Sequence, residues 1–158
     1  MQLNRFTDLG LRVLIMLSHT PPTQKITVAQ IAQALSVSQN HLVKIVHFMA
    51  SAGWVESFKG RHGGIRLAPA SYARPLGELV QQLEIHSSEG RPLIDCHQPP
   101  CSLLPLCSLP PLLAQAQQAF YQALNQHTLQ DISRHDSQSN EIVVQWLSTE
   151  HSKDHARP

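Results

Sequence analysis

Cys96, Cys101 and Cys107 are all the cysteine in this 158-residue chain, and they fall in one run spaced C-x4-C-x5-C. An odd number of thiols on one segment cannot close into a disulfide framework. Thiolates are soft metal donors. Three of them on a single loop supply three corners of a metal or iron–sulfur site and leave the fourth to come from elsewhere. The spacing does not separate the metals. An iron–sulfur cluster fits it, and so does zinc with a histidine such as His97 or His86 completing a Cys3His set.

The loop that carries these thiols has to be positioned by regular structure on both sides. Prolines at 92, 99, 100 and 105 break the stretch 85–109, which shows no sustained period. It is too long for an ordinary connector and is read as functional. A helix around Pro75–Glu84, with Leu76, Leu79, Val80 and Leu83 inward, leads into it. A long helix beginning near Pro111 follows it. There Leu113, Ala116, Phe120, Ala123 and His127 step by three and four, a coiled-coil-like seam. Its other side is Gln115, Gln117, Gln118, Gln122 and Gln126, and no formal charge occurs from Pro111 to Gln126. Such a helix suits packing against a second copy.

Upstream lies a different pattern. Phe6, Gly10, Val13, Leu14 and Leu17 predict a helix over roughly Thr7–Ser18, ended by Pro21 and Pro22. Thr27 is a plausible N-cap for a short second helix with Ile31, Ala32 and Leu35 inward. After the turn at Ser36-Val37-Ser38, a third helix capped by Ser38 runs to about Ala52. Leu42, Ile45, Val46 and Met49 form its core stripe, and Asn40, Lys44, His47 and Ser51 form a polar stripe. Val43 and Phe48 fit neither. A short helix, a brief turn and a second helix with a basic outer face make a helix-turn-helix, whose second helix fits a major groove. Trp54–Phe58 and Ile65–Leu67 then read as two strands around the glycine-rich turn Lys59-Gly-Arg-His-Gly-Gly64, a β-wing with Lys59, Arg61 and His62 near its tip.

Charge supports a nucleic-acid partner locally. The chain carries a formal net charge of only +1. From Val37 to Leu67, however, Lys44, Lys59, Arg61 and Arg66 face the single acid Glu56. No run is long and apolar enough to span a membrane, and the first residues lack a signal-peptide pattern. The thiols are therefore expected in a reducing cytoplasm. No nucleophile–base pairing, phosphate-binding glycine loop or HExxH motif is present, so an enzyme is not expected.

The expected architecture is mainly α: a winged helix-turn-helix with a two-stranded β-wing and a long C-terminal dimerisation helix. Its parts are a DNA-binding domain at 1–84, a cluster-binding loop at 85–109, a dimerisation helix region at 110–133 and a tail at 134–158. Within the tail, Ile142-Val-Val and Trp146-Leu147 read as a short docking helix. The DNA-reading set is Ser38, Gln39, Asn40, His41 and Lys44 on the helix, with Lys59, Arg61 and His62 on the wing.

Four segments taken together resemble a known family. They are Phe6-Thr-Asp-Leu-Gly-Leu-Arg12, Val37-Ser-Gln-Asn-His-Leu-Val-Lys-Ile45, Lys59-Gly-Arg-His-Gly-Gly-Ile-Arg-Leu67 and the C-x4-C-x5-C loop. They are similar to the NsrR-type nitric-oxide-sensing repressors, a branch of the winged-helix iron–sulfur regulators that also contain IscR. The resemblance spans roughly residues 1–133. It implies a homodimer that binds a palindromic operator with an affinity controlled by an iron–sulfur cluster, 4Fe–4S or 2Fe–2S, with nitric oxide as effector. IscR-type relatives carry a histidine three positions after the last cysteine, where Pro110 stands here. NsrR-type relatives use an aspartate near the start of the first helix, which corresponds to Asp8, supplied by the other subunit. The implied ligand set is Cys96, Cys101 and Cys107 of one chain with Asp8 of the other. Gln39 departs from the pattern, since many relatives carry arginine there. An IscR-type iron–sulfur regulator and a zinc-thiolate redox switch are the alternative sensors.

Overall fold

The computed structural model describes residues 2–60 and 63–133. Helix α1 runs Arg5–Ser18 and starts two residues before the apolar pattern does. Asn4 explains the early start: its side-chain oxygen accepts the Thr7 N–H at 2.9 Å and so satisfies an end group of the helix. Helix α2, Val28–Ala34, opens on a capping box in which Thr27 and Gln30 exchange side-chain and backbone hydrogen bonds. Helix α3, Gln39–Ser51, buries Leu42, Ile45, Val46 and Met49, the stripe its spacing predicts. Ser38 occupies the N-cap position but makes no side-chain capping hydrogen bond. Its expected role as a cap is therefore not realised.

The wing is the antiparallel pair β1, Val55–Phe58, and β2, Gly64–Leu67, in register from Val55 opposite Leu67 to Phe58 opposite Gly64. Ile26 extends this ladder by exchanging backbone hydrogen bonds of 2.9 and 2.8 Å with Ile65, which pins the wing to the segment before α2. Gly60 sits at φ +99°, a backbone conformation that side chains disfavour, and so permits the turn. Arg61 and His62 lie outside the described residues, as does the tail with its expected docking helix.

Helix α4, Leu76–Ser88, continues a turn past Glu84. Helix α5, Leu109–Leu124, lies across it, and helix α6, Leu129–Ile132, follows. The α4–α5 contact is close at Gly77, where an added Cβ would stand 2.1 Å from the Tyr121 carbonyl oxygen. Leu76, Val80 and Tyr121 form a small second core there, with Phe120 and Leu124 against it. The chain then returns to the DNA-binding domain. Leu129 is fully buried in the main core with Leu14, Ile31, Leu42 and Trp54. The Ser18 hydroxyl donates to that of Ser133 at 2.7 Å.

The seam on α5 is divided. Leu113 and Phe120 are half-buried, while Ala116, Ala123 and His127 stay exposed. The exposed apolar face is Leu109, Leu112, Ala116, Ala119 and Ala123. Gln117, expected on the outer side, is half-buried and donates to the Tyr121 hydroxyl at 3.3 Å. Among the described residues no helix is long and apolar enough to cross a membrane.

Candidate metal centre and DNA-reading surface

The three thiols are linked through the backbone that carries them. The Cys101 N–H donates to the Cys96 carbonyl at 3.0 Å, Leu104 to Cys101 at 3.2 Å, and Cys107 to Leu104 at 3.4 Å. Upstream, the Asp95 carboxylate accepts the His97 N–H at 2.8 Å and the Gln98 N–H at 3.2 Å, folding the chain tightly around Cys96. Those two N–H groups hold the Asp95 carboxyl below the usual carboxylate range. All three cysteines are free; Cys96 and Cys107 are half-buried and Cys101 is exposed. The Cys96 thiol is pushed upward, first by desolvation and then by the nearby charges of Cys101, Cys107 and Asp95.

A bound cation would offset this upward push on Cys96, since metal binding deprotonates thiols. In donor type the loop fits a thiolate-ligated metal or cluster. Its arrangement is open: among the described residues, no group of three or more His, Cys, Asp or Glu is placed to hold a metal ion. His97 contributes its backbone to the Asp95 turn. His86 is stacked on the Phe48 ring with centroids 4.3 Å apart, and so is engaged away from the thiols. Asp8 lies in the first turn of α1, paired with Arg12 at 2.9 Å and about half exposed.

The reading surface is better formed. Ser38, Gln39, Asn40, His41 and Lys44 are all exposed along the N-terminal half of α3, and Lys59 is exposed at the start of the wing turn. Their side chains are not engaged in any ion pair within the described residues. The wing's strands are braced differently. Lys25 lies 4.2 Å from the Phe58 ring centroid, and Arg66, which pairs with Glu56, lies 5.1 Å from it.

Two residues belong to this surface although no sequence pattern singled them out. Val43 is 48% exposed on α3, on the side of Asn40, Lys44 and His47. An off-stripe apolar residue on a reading helix was the available signal, because such a group can contact a thymine methyl. Arg5, at the start of α1, joins His41 and Lys44 around a cleft of about 180 Å³ floored by Phe6, Leu9 and Ile45.

A helix-turn-helix whose second helix presents an exposed polar and basic face, followed by a two-stranded wing, defines a winged-helix DNA-binding transcription regulator and not an enzyme. The sequence profile of the Rrf2 family, described as iron-dependent transcriptional regulators, matches residues 3–135. The chain belongs to that family. Solved structures of similar fold include Staphylococcus aureus CymR in its oxidized form, 21% identical with a TM-score of 0.63, covering 86% of this chain and 98% of that one. CymR of B. subtilis, described as the global cysteine regulator, is 21% identical with a TM-score of 0.60, covering 84% and 96%. IscR of T. potens is 17% identical with a TM-score of 0.60, covering 84% and 85%. At these identities the likeness establishes the fold.

Proposed function

We propose that this Rrf2-family chain is a homodimeric, operator-specific repressor whose DNA affinity is set by an iron–sulfur cluster on the Cys96–Cys107 loop and relieved by nitric oxide. The observation that carries this reading is the loop itself: three free thiols linked by successive backbone hydrogen bonds, in a chain that also presents an exposed reading helix. Cys96, Cys101 and Cys107 would hold the cluster, of 4Fe–4S or 2Fe–2S type, with Asp8 of the second subunit as fourth ligand. When bound, the cluster supplies an iron centre reactive toward nitric oxide. Reduced thiols of this kind belong in the cytoplasm.

The rest is work for the chain's own side chains. A carboxylate is a harder, weaker partner for iron than thiolate, so Asp8 makes the most releasable tie. Its pairing with Arg12 is a surface ion pair, worth little and readily exchanged. Asn40 and Gln39 can contact adenine in bidentate fashion, Val43 can meet a thymine methyl, and Lys44, Lys59, Arg61 and His62 can position the protein on phosphate. A hundredfold change in operator affinity needs a coupling of only about 2.7 kcal/mol.

The test is a visible absorption spectrum of anaerobically purified protein with iron and sulfide counts, followed through a nitric oxide titration with operator binding read in parallel. The expected result is a coloured protein that bleaches as operator binding is lost, with weaker cluster retention or response in Asp8→Ala. A colourless zinc protein, or a cluster indifferent to nitric oxide, would overturn the signal and leave the DNA-binding class standing. An Asp8→Ala variant identical to the parent would remove the inter-subunit tie.

A further inference from the structure

The last turn of α4 grips both parts of the reading domain. Glu84 Oε1 accepts the Asn4 backbone N–H at 3.0 Å, and the Asn4 side-chain amide donates to the Ser87 hydroxyl. Asn4 is also the cap of α1. Between Glu84 and Ser87, the His86 ring lies on Phe48 of α3, with centroids 4.3 Å apart and planes at 26°. The same ring meets Phe6 of α1 at 5.2 Å. Phe48 in turn packs edge-on against Trp54 at 5.4 Å and 82°. Trp54 immediately precedes β1 and is fully buried. Two residues beyond Ser87, Glu89 adopts a left-handed backbone with φ 55°, and the cysteine-bearing segment begins. A contiguous aromatic path, His86 to Phe48 to Trp54, thus joins the root of that segment to the reading helix and the wing.

We infer that His86 is a positioning residue that transmits the state of the cysteine loop to α3. The reading rests on the loop being the sensor, and it adds which side chain conveys the signal. Exposed and without a charged partner among the described residues, His86 contributes little to the core itself. Its ring is the one the loop root would displace first, because it stands in the final turn of the helix that carries the loop. A chain of packed rings can transmit such a displacement because close-packed side chains must move together.

The buried indole offers a reporter. Trp54 Nε1 has no hydrogen-bond partner among the described residues, so its resonance responds to the rings around it. The experiment uses the reduced, metal-free full-length chain, labelled with nitrogen-15, with Trp146 replaced by Phe so that Trp54 gives the single indole signal. Cadmium ion is the probe, and its thiolate absorption reports loading of the loop. We expect loading to shift the Trp54 signal in the parent and in His86→Phe, which keeps the stack, and the shift to be lost in His86→Ala although cadmium still binds. A shift that persists in His86→Ala, or none in the loaded parent, would overturn the relay. Neither iron nor DNA is involved. Failure of the nitric-oxide reading therefore leaves this result unaffected, and a failed relay leaves operator binding untouched.

Discussion

Cys96 and Asp95 are neighbours with opposite shifts, and together they define a pH window for the metal-free loop. The Cys96 thiol is raised, so its protonated form is favoured by the fold. That contribution is fully present below a thiol's ordinary pKa and is lost as pH rises through the raised folded value. The Asp95 carboxyl is lowered. Its contribution is present above the ordinary carboxylate value and is lost as pH falls through the depressed folded one. Iodoacetamide should therefore alkylate Cys96 in the folded, metal-free chain more slowly than in a peptide of the same loop sequence, up to the alkaline range. Peptide mapping by mass spectrometry checks this, and equal rates would show that the fold does not raise the Cys96 thiol. At this scale the sequence was legible where helical spacing sets burial, as in the exposed Asn40–Lys44 stripe. It was not legible for Phe48, which lies off both stripes because its partners, Phe6, Trp54 and His86, are remote in sequence.

Helices α1 to α5 were readable because each carries an apolar period, and the end of α4 was not. The apolar stripe of α4 stops at Leu83, yet the helix reaches Ser88, since its last turn is held by contacts to Asn4 and Phe48 that no local pattern encodes. The seam of α5 was misplaced for a similar reason: its period is clear, but which face meets α4 depends on the close approach at Gly77. That approach is testable. In Gly77→Ala the new methyl would stand 2.1 Å from the Tyr121 carbonyl oxygen and 2.4 Å from the Asn125 side-chain oxygen. The helices must separate, and the 2.9 Å bond from the Glu78 N–H to Asn125 must lengthen. Overpacking of this kind costs on the order of 3 kcal/mol, and Tm should fall by roughly 5–10 °C. An unchanged melting curve by circular dichroism would mean that α5 does not pack on α4 in this way.

For the whole molecule, the proposed homodimer would pair through the exposed stripe Leu109, Leu112, Ala116, Ala119 and Ala123. A charge at its centre should prevent that pairing. Ala119→Glu is expected to sediment as a monomer, keep the helical spectrum of the parent and bind a palindromic operator much more weakly, because two half-sites on one duplex are read best by a linked pair. A dimeric Ala119→Glu protein would place the interface elsewhere. Overall class was legible from order alone: helix-turn-helix, wing, thiol loop, long helix. A further turn of helix at Thr128–Ile132 was legible too, but its return was not: burial of Leu129 and the Ser18–Ser133 hydrogen bond show that it docks on the main core.

From Glu84 to Phe120 not one residue is buried, while the segments on either side are anchored by Leu83 and Tyr121. The cysteine-bearing stretch is therefore an insert between two fixed posts. Its ends are tied to the fold by Glu84, His86 and Phe120, and between them the cysteine loop is held by its own backbone hydrogen bonds. A scaffold built this way can exchange one signal for another by rewriting a single loop, while the apparatus that reads DNA stays as it was.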